Sequence, residues 1–327
     1  MAKSPWSTEA SKVLDEDRTT KTAEETFTAK GLDPAMNPYG VRVRESRASE
    51  LSPHPRSIVL GIDGTVSHRD WPMRITRGSL TQLMGLLIDH GFLPNPQVLI
   101  SMIRDDMDEV PLEVGQFEVD EKIREDLERC FIKASGGAGS EGYLHEAYLL
   151  LIWWVATHTA CDCFEKEGRK GYLIIAGDEM SNARLGQDVV RRVTGETLEN
   201  DLTFDEIIRM AEEKWKVIFF YSHSNFYREH EQTRVFEWWK SKLGHLAIHL
   251  YDPEDLAVQT AIVTGLLDGS VISLDDGLTR LASVGTSAQI IDRVRRALSA
   301  FAASLDLNRP VEGVPAATGK KRRASRL

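Results

Sequence analysis

Cysteine is scarce, with three residues (Cys130, Cys161 and Cys163) in a chain of 327. They fit neither a disulfide framework nor a paired zinc spacing, so we expect reduced thiols in a cytosolic protein. None of the nine histidines is spaced for zinc against a cysteine pair. Long apolar runs are missing as well. No stretch approaches the roughly 18 uninterrupted apolar residues of a membrane span, and the opening Met-Ala-Lys-Ser-Pro-Trp has no apolar signal core. Positive charge is in deficit: 40 Lys and Arg against 50 Asp and Glu give a formal net charge of -10. Neutralising phosphates needs a basic face, so this balance argues against a general nucleic-acid binder while leaving room for a local basic patch. What is present, 42% hydrophobic and 28% charged residues, suits a soluble globular protein with ample length to bury a core. The length allows one large or two modest domains.

Residues 1–54 are polar and nearly free of periodic apolar pattern, which predicts an extension that is flexible or laid over the surface. From residue 57 onward, short apolar runs alternate with helical patterns. Strands are expected over 57–62, 97–103, 110–117, 171–177, 215–221 and 246–251. Helices are expected over 77–90, 119–131, 142–159, 187–193, 204–213, 229–243, 252–267, 274–283 and 287–305. The acidic turn at 104–109, carrying Asp105, Asp106 and Asp108, makes the second and third strands a hairpin at one sheet edge. Its carboxylates are expected to be solvated. The run 142–159 is apolar on nearly every side, so Trp153 and Trp154 belong to the core.

This alternation predicts an α/β fold: an open, doubly wound, mostly parallel sheet with one antiparallel edge strand. The domain should span 55–270, followed by a helical extension over 271–306 and a basic, disordered tail over 307–327. In such sheets ligands bind beyond the carboxyl ends of the strands, where the strand order reverses. Asp63 and Asp178 each close a predicted strand, far apart in sequence and adjacent in space if the topology holds.

The first of these strands runs into Asp63-Gly64-Thr65-Val66-Ser67, which sets a carboxylate and two hydroxyls at alternate positions. Hard divalent cations take oxygen ligands of this kind. The pattern D-x-[ST]-x-S, the Gly-rich loop Ser135-Gly-Gly-Ala-Gly-Ser140 before a long apolar helix, and Asp178 after Tyr172-Leu-Ile-Ile-Ala-Gly177 come in the order of the von Willebrand factor A family. The chain resembles that family over roughly residues 57–269. The resemblance implies a Rossmann-like fold and a metal-ion-dependent adhesion site. Asp63, Thr65, Ser67 and Asp178 would hold the cation directly or through water, with Mg²⁺ expected and Mn²⁺ or Ca²⁺ as alternatives. Two departures stand out. The family's middle-loop threonine is replaced by a serine, for which Ser140 is favoured over Ser135. The usual Asp-Gly after the fourth strand becomes Gly177-Asp178-Glu179, so Glu179 is a further candidate. Removing Asp63 is expected to change stability little, on the view that these ligands are exposed loop groups.

Such a site points to binding, because nothing pairs a nucleophile with a base. The expected function is a cytoplasmic, non-enzymatic, metal-dependent interaction module whose protein partner supplies an acidic ligand. The resemblance suggests a MoxR-type AAA+ ATPase as partner, and self-association is the second possibility. A rival resemblance exists. Val59-Leu-Gly-Ile-Asp-Gly-Thr-Val66 is similar to the first motif of haloacid-dehalogenase-type phosphatases, but Gly61 stands where their nucleophilic aspartate belongs, which implies an inactive relative. His223, after the fifth strand, is expected to be an ordinary loop histidine.

Overall fold

Six apolar runs become strands of one sheet because each feeds its side chains alternately into two helical layers. The computed structural model describes residues 6–50, 52–64, 71–131, 146–223 and 228–307. In chain order the main elements are α1 (Thr8–Thr19), β1 (Arg56–Asp63), α2 (Leu80–Ile88), β2 (Pro96–Ile103), β3 (Leu112–Val114), α3 (Lys122–Glu128), α4 (Tyr148–His158) and β4 (Gly171–Gly177). There follow α5 (Gln187–Thr194), α6 (Phe204–Lys214), β5 (Trp215–Ser222), α7 (Glu229–Leu243), β6 (Ala247–Leu250), α8 (Leu256–Asp268), α9 (Leu274–Ser283) and α10 (Ala288–Leu307). The sheet order is β6-β5-β4-β1-β2-β3, with β3 antiparallel to β2 and every other pairing parallel. The strand order therefore reverses between β1 and β4.

Ile58, Leu60 and Ile62 of β1 point into one core, shared with α2, α8, α9 and α10. Val59 points into the other, shared with α4, α5, α6 and α7. Strands buried on both faces lose the polar alternation of a half-exposed strand, which is why they are continuous apolar runs in the sequence. Every residue of α4 except Thr157 is buried, so the helix has no polar stripe. Trp153 and Trp154 are core residues, as the sequence suggests. The carboxyl-terminal helices close one side of the molecule. Leu278, Leu281, Val294, Leu298 and Phe301 enter the first core, and Arg293 grips the fully buried Asp255 through two hydrogen bonds of 2.8 and 2.7 Å. Of the expected basic tail over 307–327, Leu307 ends α10 and residues 308–327 lie outside the described residues.

The amino-terminal segment carries more structure than its composition suggests. Ser7 caps α1, and Thr22 with Glu25 forms a capping box on the short helix Ala23–Thr26. Helix α1 has a weak apolar pattern because polar contacts hold it. Arg18 pairs with Glu128, Asp15 with Arg124, and Ser11 donates to Glu121. Trp6, Phe27 and Met36 add apolar anchors in the first core. Further along, Arg44–Ser46 pairs in parallel with Thr159–Cys161.

Asp162 pins this second attachment. It accepts from the Ala48 N–H and Arg47 Nη1 at 2.9 Å each and from Lys166 Nζ at 2.7 Å. Burial alone would raise its carboxyl, but the bonds from Ala48, Lys166 and Arg47 outweigh that and hold it at about 2. A depressed carboxylate contributes stability above its ordinary value near 3.8, and that stability is lost as pH falls through the folded-state value. Acid unfolding followed from pH 5 to pH 2 is therefore expected to be steeper for wild type than for Asp162→Asn. Parallel curves for the two would show that the bonds contribute nothing.

Candidate metal site at the strand switch

β1 and β4 run side by side, with Ile62 opposite Ala176 in the register. Asp63 and Asp178 thus lie one and two residues beyond the last paired position, on neighbouring strands, which in a sheet run about 4.8 Å apart. In open α/β sheets such a reversal of strand order is where ligand crevices form. Both carboxylates are fully buried. This corrects the expectation of exposed loop ligands, since the ladder of β1 runs through Asp63 itself and a tyrosine covers it. Thr65, Ser67 and Ser140 lie outside the described residues, as does Ser135.

The covering group is Tyr148, the first residue of α4, whose Oη donates to Asp63 Oδ2 at 2.7 Å. Burial, then the charges of Asp63, Glu146 and Asp178, push the phenol well above its ordinary value, so it stays a donor. Gly177 makes room for it, because a Cβ there would collide with the Tyr148 hydroxyl. Tyr148 is held edge-on by Phe219 and Trp239, at ring separations of 5.5 and 5.8 Å. Trp239 also fixes the loop after β4 by donating from Nε1 to the Glu179 carbonyl at 2.7 Å. Glu179 is half-buried beside the cluster.

A carboxylate that the sequence reading missed stands two residues before Tyr148. Glu146 is 1% exposed, and no hydrogen-bond partner reaches its Oε2. Its backbone forms β-bridges to Asp105 on one side and Ser181 on the other, so it joins the hairpin turn to the loop after β4. Burial raises its carboxyl well above the ordinary range, and Asp63, Asp178, Asp105 and Glu179 push further in that order. The one available signal was a lone acid directly ahead of an otherwise apolar helix.

The hairpin carboxylates are also less free than expected. Asp105 Oδ1 accepts from the Met107 N–H and Asp106 Oδ2 from Asn182 Nδ2, each at 2.8 Å. Arg192 donates to the Asp106 carbonyl, and to that of Asp108 at 2.9 Å. The turn is thereby tied to α5 and the β4 loop. His223, at the same end of the sheet, pairs with His249 across 3.0 Å between Nε2 and Nδ1. Burial and the neighbouring His223 hold His249 at about 4, so this pair is neutral near pH 7.

Among the described residues no three His, Cys, Asp or Glu side chains are grouped so as to hold a metal ion by themselves. What the strand switch holds is buried carboxylates, with no hydrogen-bond partner reaching Glu146 Oε2. Among the same residues no helix is long and apolar enough to cross a membrane.

No protein-family model matches this chain, and no curated protein does either. Among solved structures the chain is similar to the pilus adhesin SpaC of Lactobacillus rhamnosus GG in its open conformation, at 10% identity and a TM-score of 0.38, over 72% of this chain and 31% of that one. A second form of the same adhesin gives 11% identity and a TM-score of 0.37, over 72% of this chain and 32% of the adhesin. The chain thus spans about a third of the adhesin's length, and a likeness this low carries no function across.

Proposed function

We propose that this chain is a metal-ion-dependent protein-interaction module with a doubly wound fold of the von Willebrand factor A type. The observation that carries the reading is the meeting of Asp63 and Asp178, two buried carboxylates from distant segments, at the strand switch. Asp63 and Asp178 would hold a divalent cation, Mg²⁺ first, directly or through water. Thr65, Ser67 and Ser140 are the hydroxyl ligands that the resemblance adds. The cation supplies a coordination position that an Asp or Glu of a partner protein can fill. A MoxR-type AAA+ ATPase is the partner class the resemblance suggests, and a second copy of this chain is the alternative.

The phosphatase reading loses support at Gly61. An aspartate belongs there, yet a Cβ at that position would lie 2.5 Å from Leu151 Cδ2. Helix α4 fills the space the nucleophile needs.

Affinity capture with wild type and Asp63→Asn, each in Mg²⁺ and in chelator, tests the proposal. Asparagine keeps an acceptor for Tyr148, so its loss of charge is separated from loss of fold. The expected result is a partner retained only by wild type in Mg²⁺. Identical capture in all four conditions would sink the proposal, and phosphatase turnover that vanishes in Asp63→Asn would replace it.

A further inference from the structure

We propose that the free edge of β6 is a docking groove for an extended acidic segment of a partner protein, held by backbone pairing. β5 separates this strand from β4 and its Asp178, so the inference does not rest on the cation reading.

β6 ends the sheet, with β5 on one side and no strand on the other among the described residues. In a parallel ladder, alternate residues turn their backbone groups toward the neighbouring strand. The Leu250 carbonyl accepts from the His223 N–H, just past β5, at 3.4 Å, so Leu250 and Ile248 face inward. Ala247 and His249 therefore face outward. The Ala247 N–H turns back to the Gly244 carbonyl. That leaves the Ala247 carbonyl and both backbone groups of His249, which bond no described residue. An extended chain laid against His249 satisfies its N–H and carbonyl together, as an added antiparallel strand does.

A groove of about 220 Å³ follows this edge, lined by Ala247, Ile248 and His249. Its walls come from helices on opposite faces of the sheet, with Phe236 and Lys240 of α7 against Arg296 and Phe301 of α10. Ala297 and Ala300, beside Arg296, are too small to close it. Among the described residues no Asp or Glu lines it, so each wall carries one positive charge. Arg296 lies over the Tyr251 ring, 4.5 Å from its centre, and makes no hydrogen bond or ion pair with any described residue. Lys240 reaches Glu237 at 3.2 Å, an exposed pair that competes weakly with a ligand. In a chain of net charge -10, two such cations beside an open strand edge suit an acidic ligand.

Other occupants fit less well. Two copies paired edge to edge would bring like charges together at Lys240 and Arg296. The chain's own end, residues 308–327, has six basic residues and one acid, and the groove repels it. Edges kept from pairing often carry Lys or Pro in the strand itself. β6 reads Ala247-Ile-His-Leu250, with neither.

Fluorescence polarisation in the presence of chelator tests the proposal. The probe is a dye-labelled peptide of about six residues, the usual strand length, with two central glutamates between pairs of valines. Successive side chains alternate, so one glutamate meets each wall. Wild type is expected to bind it about tenfold more tightly than the same peptide with central lysines. Arg296→Glu combined with Lys240→Glu should reverse that preference, and both positions are exposed, so the fold is kept. Methylating both central amides of the probe should abolish binding. Hydrogen exchange at the His249 amide should slow when the unmodified probe is bound. Equal binding of the glutamate and lysine probes, no binding of the glutamate probe, or undiminished binding of the methylated one overturns the proposal. A wild-type dimer in sedimentation that Ala300→Trp breaks would assign the edge to a second copy and overturn it as well.

Discussion

Gly61→Asp is expected to unfold this chain and not to produce a phosphatase. Gly61 sits inside β1, between Leu60 and Ile62, with β4 and β2 hydrogen-bonded on either side. A Cβ there would meet Leu151 Cδ2 at 2.5 Å and Ile103 Cδ1 at 3.1 Å. Neither neighbour can retreat easily, since Leu151 and Ile103 are fully buried in the second core. Overpacking of this kind costs about 1–3 kcal/mol. The carboxylate then adds an unpaired buried charge, for about 3 kcal/mol or more. Together these approach the whole stability of an ordinary domain, about 5–15 kcal/mol. Gly61→Ala carries only the first cost and should shift the urea midpoint modestly. A Gly61→Asp protein with a wild-type midpoint and phosphoester turnover would revive the enzyme reading.

The same position shows what a sequence can and cannot say. Gly61 marked the absent nucleophile, but the reason for the glycine lies in α4, some ninety residues later, which no local pattern connects to it. The strands were legible because burial on both faces forces continuous β-branched and aromatic runs, and their mostly parallel pairing followed from alternation with helices. Asp63 and Asp178 were legible because each ends such a run. Their burial was not. It depends on Tyr148, which looked like one more aromatic in an apolar helix until the fold brought its hydroxyl to Asp63. Glu146 was hidden for a related reason. Its burial comes with bridges to the hairpin turn and to the loop after β4, and a single acid in an apolar run has no sequence period to betray it. Helix α1 escaped notice because its anchors are ion pairs to α3 and a hydrogen bond from Ser11 to Glu121 just before it, contacts that composition cannot rank. The hairpin turn looked solvated because acidic turns usually are, whereas Asn182 and Arg192 reach across from later elements to hold it.

Glu113→Ala should cost about 3–5 kcal/mol, the usual penalty for breaking a buried ion pair from one side. Glu113 lies on β3 with no exposed surface, and Arg104 Nη2 meets its Oε2 at 2.6 Å with only 7% of the Arg104 side chain exposed. The Phe131 N–H donates to Glu113 Oε1 at 3.0 Å and Oε2 at 3.2 Å, while Arg104 Nη1 donates to the Val110 carbonyl at 2.9 Å. Removing the glutamate leaves the guanidinium buried without its anion. The damage should reach the candidate site, because the Arg104 carbonyl holds the Ala147 N–H and the next residue, Asp105, bridges Glu146. Even so, the pair need not be better than an apolar one. Burial holds the Glu113 carboxyl above its ordinary value despite the pull of Arg104. A raised carboxyl favours the fold most when protonated, so its contribution is complete below the unfolded value near 4.5 and is lost as pH rises through the folded one. Ionising Glu113 inside the protein therefore costs more than ionising it outside. The expected outcome is that Arg104→Met with Glu113→Leu recovers most of the stability lost in Glu113→Ala. Urea midpoints of the two variants give the comparison. A double variant no more stable than Glu113→Ala would mean that the ion pair itself, not the stranded arginine, sets the cost.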